Sequence, residues 1–329
     1  MPAPVCSIII LTYRRPEDLA IALESTGAQR LGDPFEVIVV DNSPEGSAQT
    51  QVERFAATAS HRVIYVSEKT PGISSARNAG LGVARGELIA FLDDDQVADP
   101  EWLERMIAAQ RANDAEAVFG WVEPYTKVEA PPYAEIFFDP LSRRFEIPSG
   151  RVPPKLIAKL GTNNSLFRAS ALDGKKTFDP TLNLTGGEDS AVIKKIAERG
   201  GTLVWCKEGR VREHVPPDRL RLGFLLERRF SSGQLRSRHF YAGPSRSYRQ
   251  LAKWVAIGAV QATGGALLAS STLVVAPVFA RKMLAEAAGG LGKVFFLDRF
   301  VVERYRRPPV EVVQPTPAEA AAEKTSAGG

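Results

Sequence analysis

The sequence predicts an α/β protein: a Rossmann-like mixed, mostly parallel sheet, followed by a C-terminal helical region that associates with a membrane. Three observations carry this. Over the first 125 residues, short apolar runs alternate with helical patterns, the signature of right-handed βαβ units. The apolar runs end in polar clusters at Thr12-Tyr13-Arg14, Asp41-Asn42-Ser43 and Asp93-Asp94-Asp95, where parallel sheets bind ligands. Further on, Trp254 to Ala280 contains no charged residue.

In chain order, strands are predicted at 5–12, 36–41, 62–67, 87–93 and 116–123. Helices are predicted at 16–28, 47–59, 73–84 and 100–112, the last started by Asp99-Pro100. Residues 126–160 are rich in proline and aromatic residues and read as an irregular excursion, a candidate substrate loop. The chain re-enters the sheet at Ser165-Leu166-Phe167-Arg168. Gly187-Glu188-Asp189-Ser190 opens a helix that Gly200-Gly201 ends, and Thr202 to Cys206 is a further strand. A basic amphipathic helix is predicted at 218–238, and a mixed segment at 291–302 packs near the apolar stretch. The expected division is an α/β domain over 1–215, in two halves at 1–125 and 126–215. A helical membrane region follows over 216–305, and a Pro/Ala/Glu-rich disordered tail over 306–329.

Composition sets limits. The 329 residues suffice for one large domain or two ordinary ones, and 44% hydrophobic with 24% charged residues is globular. A net charge of +4 gives no argument for nucleic acid. Arginines nevertheless crowd residues 210–249, which suits a phosphate-bearing ligand or an anionic membrane face. Cys6 and Cys206 lie in apolar strand-like runs and read as core thiols of a reducing compartment. No basic-then-apolar leader is visible, so no signal peptide is expected.

The Asp93–Asp95 triplet is the strongest chemical signal. Three carboxylates at the end of a buried strand repel one another unless a cation sits among them. A divalent Mg²⁺ or Mn²⁺ carrying a diphosphate meets that need; a solvated acidic turn is the plainer alternative. Asp41, ending Val37-Ile38-Val39-Val40, can accept from a nucleobase N–H or simply form a turn. Thr12, Tyr13 and Arg14 occupy the first βα turn, where a nucleoside can stack. That turn has no glycine, which argues against a dehydrogenase, and no Walker A sequence is present. The segment Gly72 to Gly80 is a glycine-started helix in which Arg77 can reach a diphosphate. Glu188-Asp189 sits at a helix N-terminus, where the dipole favours an ionised carboxylate able to act as general base. His214, placed near the triplet, would complete an Asp/His metal site.

As an ordered series, these segments resemble family 2 glycosyltransferases of the GT-A fold. The series is Ser7 to Arg15, Val39-Val40-Asp41-Asn42-Ser43, Gly72 to Gly80, Phe91-Leu92-Asp93-Asp94-Asp95 and Gly187-Glu188-Asp189, and the resemblance covers roughly residues 5–240. It implies an inverting transfer from a nucleotide-diphosphate-sugar donor. Carried over, Asp41 binds the base and Arg77 the diphosphate. Asp93 and Asp95 form the Asp-x-Asp motif, with Asp95 the principal metal ligand, Asp93 the contact toward ribose or metal, and Asp94 among the nucleotide-sugar-binding residues with Thr12, Tyr13 and Arg14. Residues 1–125 become the nucleotide-sugar half of a catalytic domain and 126–215 its acceptor half, with Trp121, Glu123, Asn163 and Asn164 as candidate acceptor-side residues, since aromatic and amide groups suit sugars. Asp189 matches the catalytic base, with Glu188 next to it. The processive members carry Gln-x-x-Arg-Trp, of which Gln234-Leu235-Arg236-Ser237-Arg238 is a poor echo, so a non-processive enzyme adding one sugar is expected.

The apolar stretch exceeds the roughly 20 residues needed to cross a bilayer, but it is studded with polar residues and flanked by cations on both sides: Arg249 and Lys253, then Arg281 and Lys282. A re-entrant or interfacial hairpin, a single span and a soluble helical subdomain all remain open. The expected location is the cytoplasmic face of the cell membrane, and the expected acceptor a saccharide or lipid-linked saccharide in cell-surface or exopolysaccharide biosynthesis. A nucleotidyltransferase and a non-catalytic nucleotide-sugar-binding membrane protein are the alternatives.

Overall fold

The computed structural model describes residues 3–131, 133–242 and 246–302; the expected tail falls outside them. One nine-stranded sheet organises the first part of the chain. Its strands are β1 (Cys6–Thr12), β2 (Phe35–Asp41), β3 (Arg62–Ser67), β4 (Leu88–Asp93), β5 (Gln96–Ala98), β6 (Ala117–Tyr125), β7 (Gly150–Arg151), β8 (Ser165–Arg168) and β9 (Leu203–His214). The helices of this part are α1 (Pro16–Gly27), α2 (Gln49–Ala56), α3 (Ile73–Leu81), α4 (Trp102–Asn113), the single turn α5 (Glu135–Phe138) and α6 (Glu188–Glu198). Each of the five strands and four helices expected in the first 125 residues is present, displaced by three residues or fewer at its ends.

The strand order is β3-β2-β1-β4-β8-β6-β9-β5, with β7 on β9. Strands β3, β2, β1 and β4 pair in parallel, and β6 pairs in parallel with β9. Between β4 and β6 lies β8, antiparallel to both. The two parallel halves are thus joined through the re-entering strand at Ser165–Arg168. Odd and even residues of β1 face opposite layers. Ile8 and Ile10 pack with Leu19 and Leu23 of α1 and with Trp102 and Met106 of α4. Ile9 packs with Ala76 of α3 and Val192 and Ile193 of α6. Both faces are covered, which explains the near-continuous apolar runs of the central strands.

Two elements depart from the reading of the sequence. Strand β9 is twelve residues long and continues past Cys206 to His214. Its register on β6 shifts between Gly120 and Trp121, an irregularity that takes up Lys207–Gly209 and hides the strand's second half from a simple pattern. The short β5 follows the Asp turn directly and pairs with that second half, Gln96 opposite Glu213. These two features build the site's acidic side.

The C-terminal part is helical: α7 (Leu222–Tyr241), α8 (Tyr248–Thr272) and α9 (Pro277–Val294). The uncharged stretch is therefore not one helix. It divides at Leu273–Ala276 into an antiparallel hairpin, with Pro277 in the first turn of α9. Glycine lets the two helices close: a Cβ on Gly258 would lie 2.7 Å from the Gly290 carbonyl oxygen.

Candidate active site

The acidic turn connects β4 to β5. Asp93, Asp95 and Glu213 bring carboxylate oxygens within 4.8 Å of one another. Gln96 fixes two members of the group: its Oε1 accepts from the Asp93 N–H at 3.2 Å, and its Nε2 donates to Glu213 at 3.0 Å. Asp94 turns instead toward β1, accepting from Thr12 Oγ1 at 2.8 Å and from Arg15 at 3.3 Å. Asp95 accepts from Arg15 at 3.0 Å and from Arg219 at 3.4 Å. Burial and then the charge of Asp95 push Asp93 up to about 6 and Asp94 up to about 7. Burial, then Asp95 and Asp93, push Glu213 up to about 7. A hard, all-oxygen donor set under mutual repulsion fits Mg²⁺ or Mn²⁺.

His214 stands apart from that group. Its Nδ1 meets Asp18 of α1 at 3.0 Å, and its ring packs on Tyr125. Adjacent strand residues point to opposite faces, so Glu213 and His214 cannot share a direction. Val211, Glu213 and Val215 are all buried, a period-two signal that extending the strand past Cys206 would have exposed.

Opposite the acidic group, α6 opens at Gly187, whose φ of 95° suits glycine. Glu188 is buried and ion-paired with the equally buried Arg77 of α3. This pair ties the two helix starts together. Burial raises the Glu188 carboxyl, and the Arg77 charge opposes that rise. Asp189, next along, is half-buried; its Oδ1 accepts from the Ser190 N–H at 2.6 Å. The loop 161–164 joins the two sides. A Cβ on Gly161 would lie 3.1 Å from Asp189 Oδ2, and Asn163 Nδ2 lies 3.4 Å from Glu213 Oε2. Arg143 holds this loop from beneath. A carboxylate at a helix start therefore faces an acidic, metal-suited group across one short loop, at the carboxyl ends of the strands.

The model of the glycosyl transferase family 2 matches residues 7–174. Among relatives, a succinoglycan biosynthesis protein, ExoM of Rhizobium meliloti, is 35% identical over 237 residues, 70% of this chain and 73% of its own. The chain belongs to glycosyltransferase family 2. A glucosyl-dolichyl phosphate glucuronosyltransferase of Haloferax volcanii is 27% identical over 69% of this chain and 74% of its own. Among solved structures, S. aureus TarS 1–349 in complex with UDP superposes with a TM-score of 0.51 at 19% identity, covering 87% of this chain and 90% of that one. The sheet is that of the GT-A fold.

In this glycosyltransferase the remaining expected residues fall as follows. Asp41 is fully buried, its oxygens accepting from the N–H groups of Ser43 and Ala48 and from the Tyr65 hydroxyl. It thereby shapes the turn after β2. Arg14, with a φ of 54°, pairs with Glu45 at the surface and lies over the Tyr13 ring. Trp121 lies against Trp205 in the core, with Lys207 and Arg210 over its ring. Glu123 is exposed on β6. Asn164 is a fastener rather than an acceptor contact: it is fully buried, accepts from Trp102 Nε1 at 2.7 Å and donates to the carbonyls of Trp121 and Gly209. Gln234 is structural too, donating to the Phe295 and Phe300 carbonyls and accepting from the Val302 N–H. Glu213, Arg15, Arg143 and Arg219 are the site residues that the sequence reading missed.

Proposed function

We propose that this glycosyltransferase moves one sugar, with inversion, from a UDP-type nucleotide-sugar to an acceptor hydroxyl, with help from a divalent metal. The observation that carries this is the placement of Asp189 across the loop 161–164 from the Asp93, Asp95 and Glu213 carboxylates. Asp189 Oδ2 takes the proton of the acceptor hydroxyl as that oxygen attacks the anomeric carbon. Asp95, Asp93 and Glu213 would hold Mg²⁺ or Mn²⁺, which supplies Lewis-acid stabilisation of the departing diphosphate. Arg15 and Arg219, now on Asp95, have the charge to meet the same diphosphate. Arg77 assists by holding Glu188, and so the start of α6, in place. The base is read against Tyr13 and the turn built on Asp41, whose Oδ1 has one lone pair beyond its bond to Ser43.

The acceptor is read as a lipid-linked saccharide of cell-surface polysaccharide synthesis, and the site of work as the cytoplasmic membrane face. The support is the α8–α9 hairpin. Helix α8 is long and apolar enough to cross a membrane, yet it packs along α9, which carries Arg281, Lys282, Glu286 and Lys293. A charged partner helix of this kind suits shallow insertion better than a span.

The test is a panel of nucleotide-sugars with a membrane lipid extract and Mg²⁺ or Mn²⁺, reading released nucleoside diphosphate. One donor should be consumed, with loss on chelation and in Asp95→Ala. Release of pyrophosphate from a nucleoside triphosphate instead would turn the reading to a nucleotidyltransferase.

A further inference from the structure

Arg143 lies in the proline-rich and aromatic excursion between β6 and β8, buried under the loop 161–164. A guanidinium has five N–H donors in a rigid fork, and all five are used here. Nε donates to the Gly120 carbonyl at 2.9 Å. Nη1 donates to the Gly161 carbonyl at 2.9 Å and to Asn163 Oδ1 at 3.1 Å. Nη2 donates to the carbonyls of Asn163 and Asn164. Every one of these acceptors is neutral. The positive charge is balanced only through space, by Glu213, Asp93 and Asp189, and burial lowers its pKa to about 10. A buried cation held by neutral oxygens is costly to the fold. It stands where the loop must be shaped and where the base and the acidic group both feel its charge.

We propose that Arg143 is the positioning residue of the acceptor side: its fork folds the loop 161–164 into the one shape that sets Asp189 Oδ2 and Asn163 against the acidic group. This rests on Asp189 being the base. The coupling runs through Gly161. A methyl on its Cα would lie 3.1 Å from Asp189 Oδ2 and 3.0 Å from Asn163 Oδ1. The space beside the base is thus bounded by a residue whose carbonyl Arg143 holds, and a side chain added at Gly161 would press on Asp189. Lysine at 143 would keep the charge but offer one point of attachment in place of a fork.

The experiment compares Arg143→Lys and Gly161→Ala with Asp189→Asn in the full chain. It measures turnover of the nucleotide-sugar identified by the panel, and UDP binding in Mn²⁺ by calorimetry. Arg143→Lys and Gly161→Ala should each lose roughly 10- to 100-fold in kcat, as misplacement near the reacting atoms does. UDP affinity and donor KM should change much less than kcat, since lysine keeps the charge that Glu213 and Asp93 feel and Gly161→Ala alters the side of the loop that meets Asp189. Should Arg143→Lys fail to fold, Arg143→Gln takes its place with the same expected split, while Gly161→Ala, which leaves the fork intact, reports whether the loop's shape sets the base. Unchanged kcat per UDP-binding molecule, with only a lowered Tm, would overturn the proposal and leave Arg143 a fold residue. So would parallel loss of turnover and UDP binding. Activity in Asp189→Asn would instead strike the base assignment itself.

Discussion

At the scale of single residues, the site is a problem of charge. Folded Asp93, Asp94 and Glu213 keep protons up to about pH 6 to 7, whereas their unfolded counterparts release them near pH 4. The folded state therefore binds more protons in that window, and stability falls as pH rises through it. What these groups contribute is fully present below about pH 4 and gone above about pH 7. A divalent cation favours the deprotonated carboxylates and should reverse the trend. Thermal melts with and without Mn²⁺ should show a larger stabilisation at pH 8 than at pH 5.5. Equal increments at both values would remove the acidic group as the metal site. Asp189→Asn should lower turnover about 10²- to 10⁴-fold, the worth of a general base, while calorimetry finds UDP binding intact. Loss of both would sink the base assignment.

At the scale of elements, function depends on how helix starts and strand ends are tied. The Arg77–Glu188 pair joins α3 to α6 and sets where Asp189 stands. Glu188→Gln removes the carboxylate that Arg77 is ion-paired with inside the fold, and should cost about 3 kcal/mol. Denaturant titration would measure that as a lowered midpoint at constant slope; a change under about 1 kcal/mol would show that the pair is not what holds α6. The same pair explains why Arg77 and Glu188 were each read singly from the sequence. Arg77 by itself looks like a diphosphate contact and Glu188 like part of a catalytic pair, and only the tertiary fold makes them partners. Strand β9 carries a parallel lesson. Its second half alternates polar and apolar residues, but Lys207–Gly209 interrupts the pattern, and with it went Glu213.

At the scale of the whole molecule, a catalytic α/β body stands beside a helical hairpin whose tip is apolar and open. Val274 and Val275 are 91% and 83% exposed, and Leu273 and Phe279 flank them. Arg281 and Lys282 follow soon after Phe279, and on the proposed membrane reading they would limit insertion to roughly the head-group depth. The expected outcome is flotation with anionic vesicles that is lost in Val274→Glu/Val275→Glu and weakened by salt. Resistance of the wild-type protein to alkaline extraction from vesicles would favour a span, and failure to float at all a soluble subdomain.

The βαβ alternation, the strand ends that carry Thr12, Asp41 and Asp93, and the family are all legible in the chain alone. Short continuous apolar runs and the polar residues that end them are local signals, legible without neighbours. Tertiary structure decided which polar residues reach the candidate site and which are taken up in holding the fold. Asn163 and Asn164 are adjacent in sequence and alike in type; one faces Glu213 and the other is buried between Trp102 and two carbonyls. Arg143 left no signal in the sequence, because its five acceptors come from two segments that only folding brings together. Long-range pairing also chose Glu213 over His214, for the direction of a side chain on a strand depends on a register that the neighbouring strands impose.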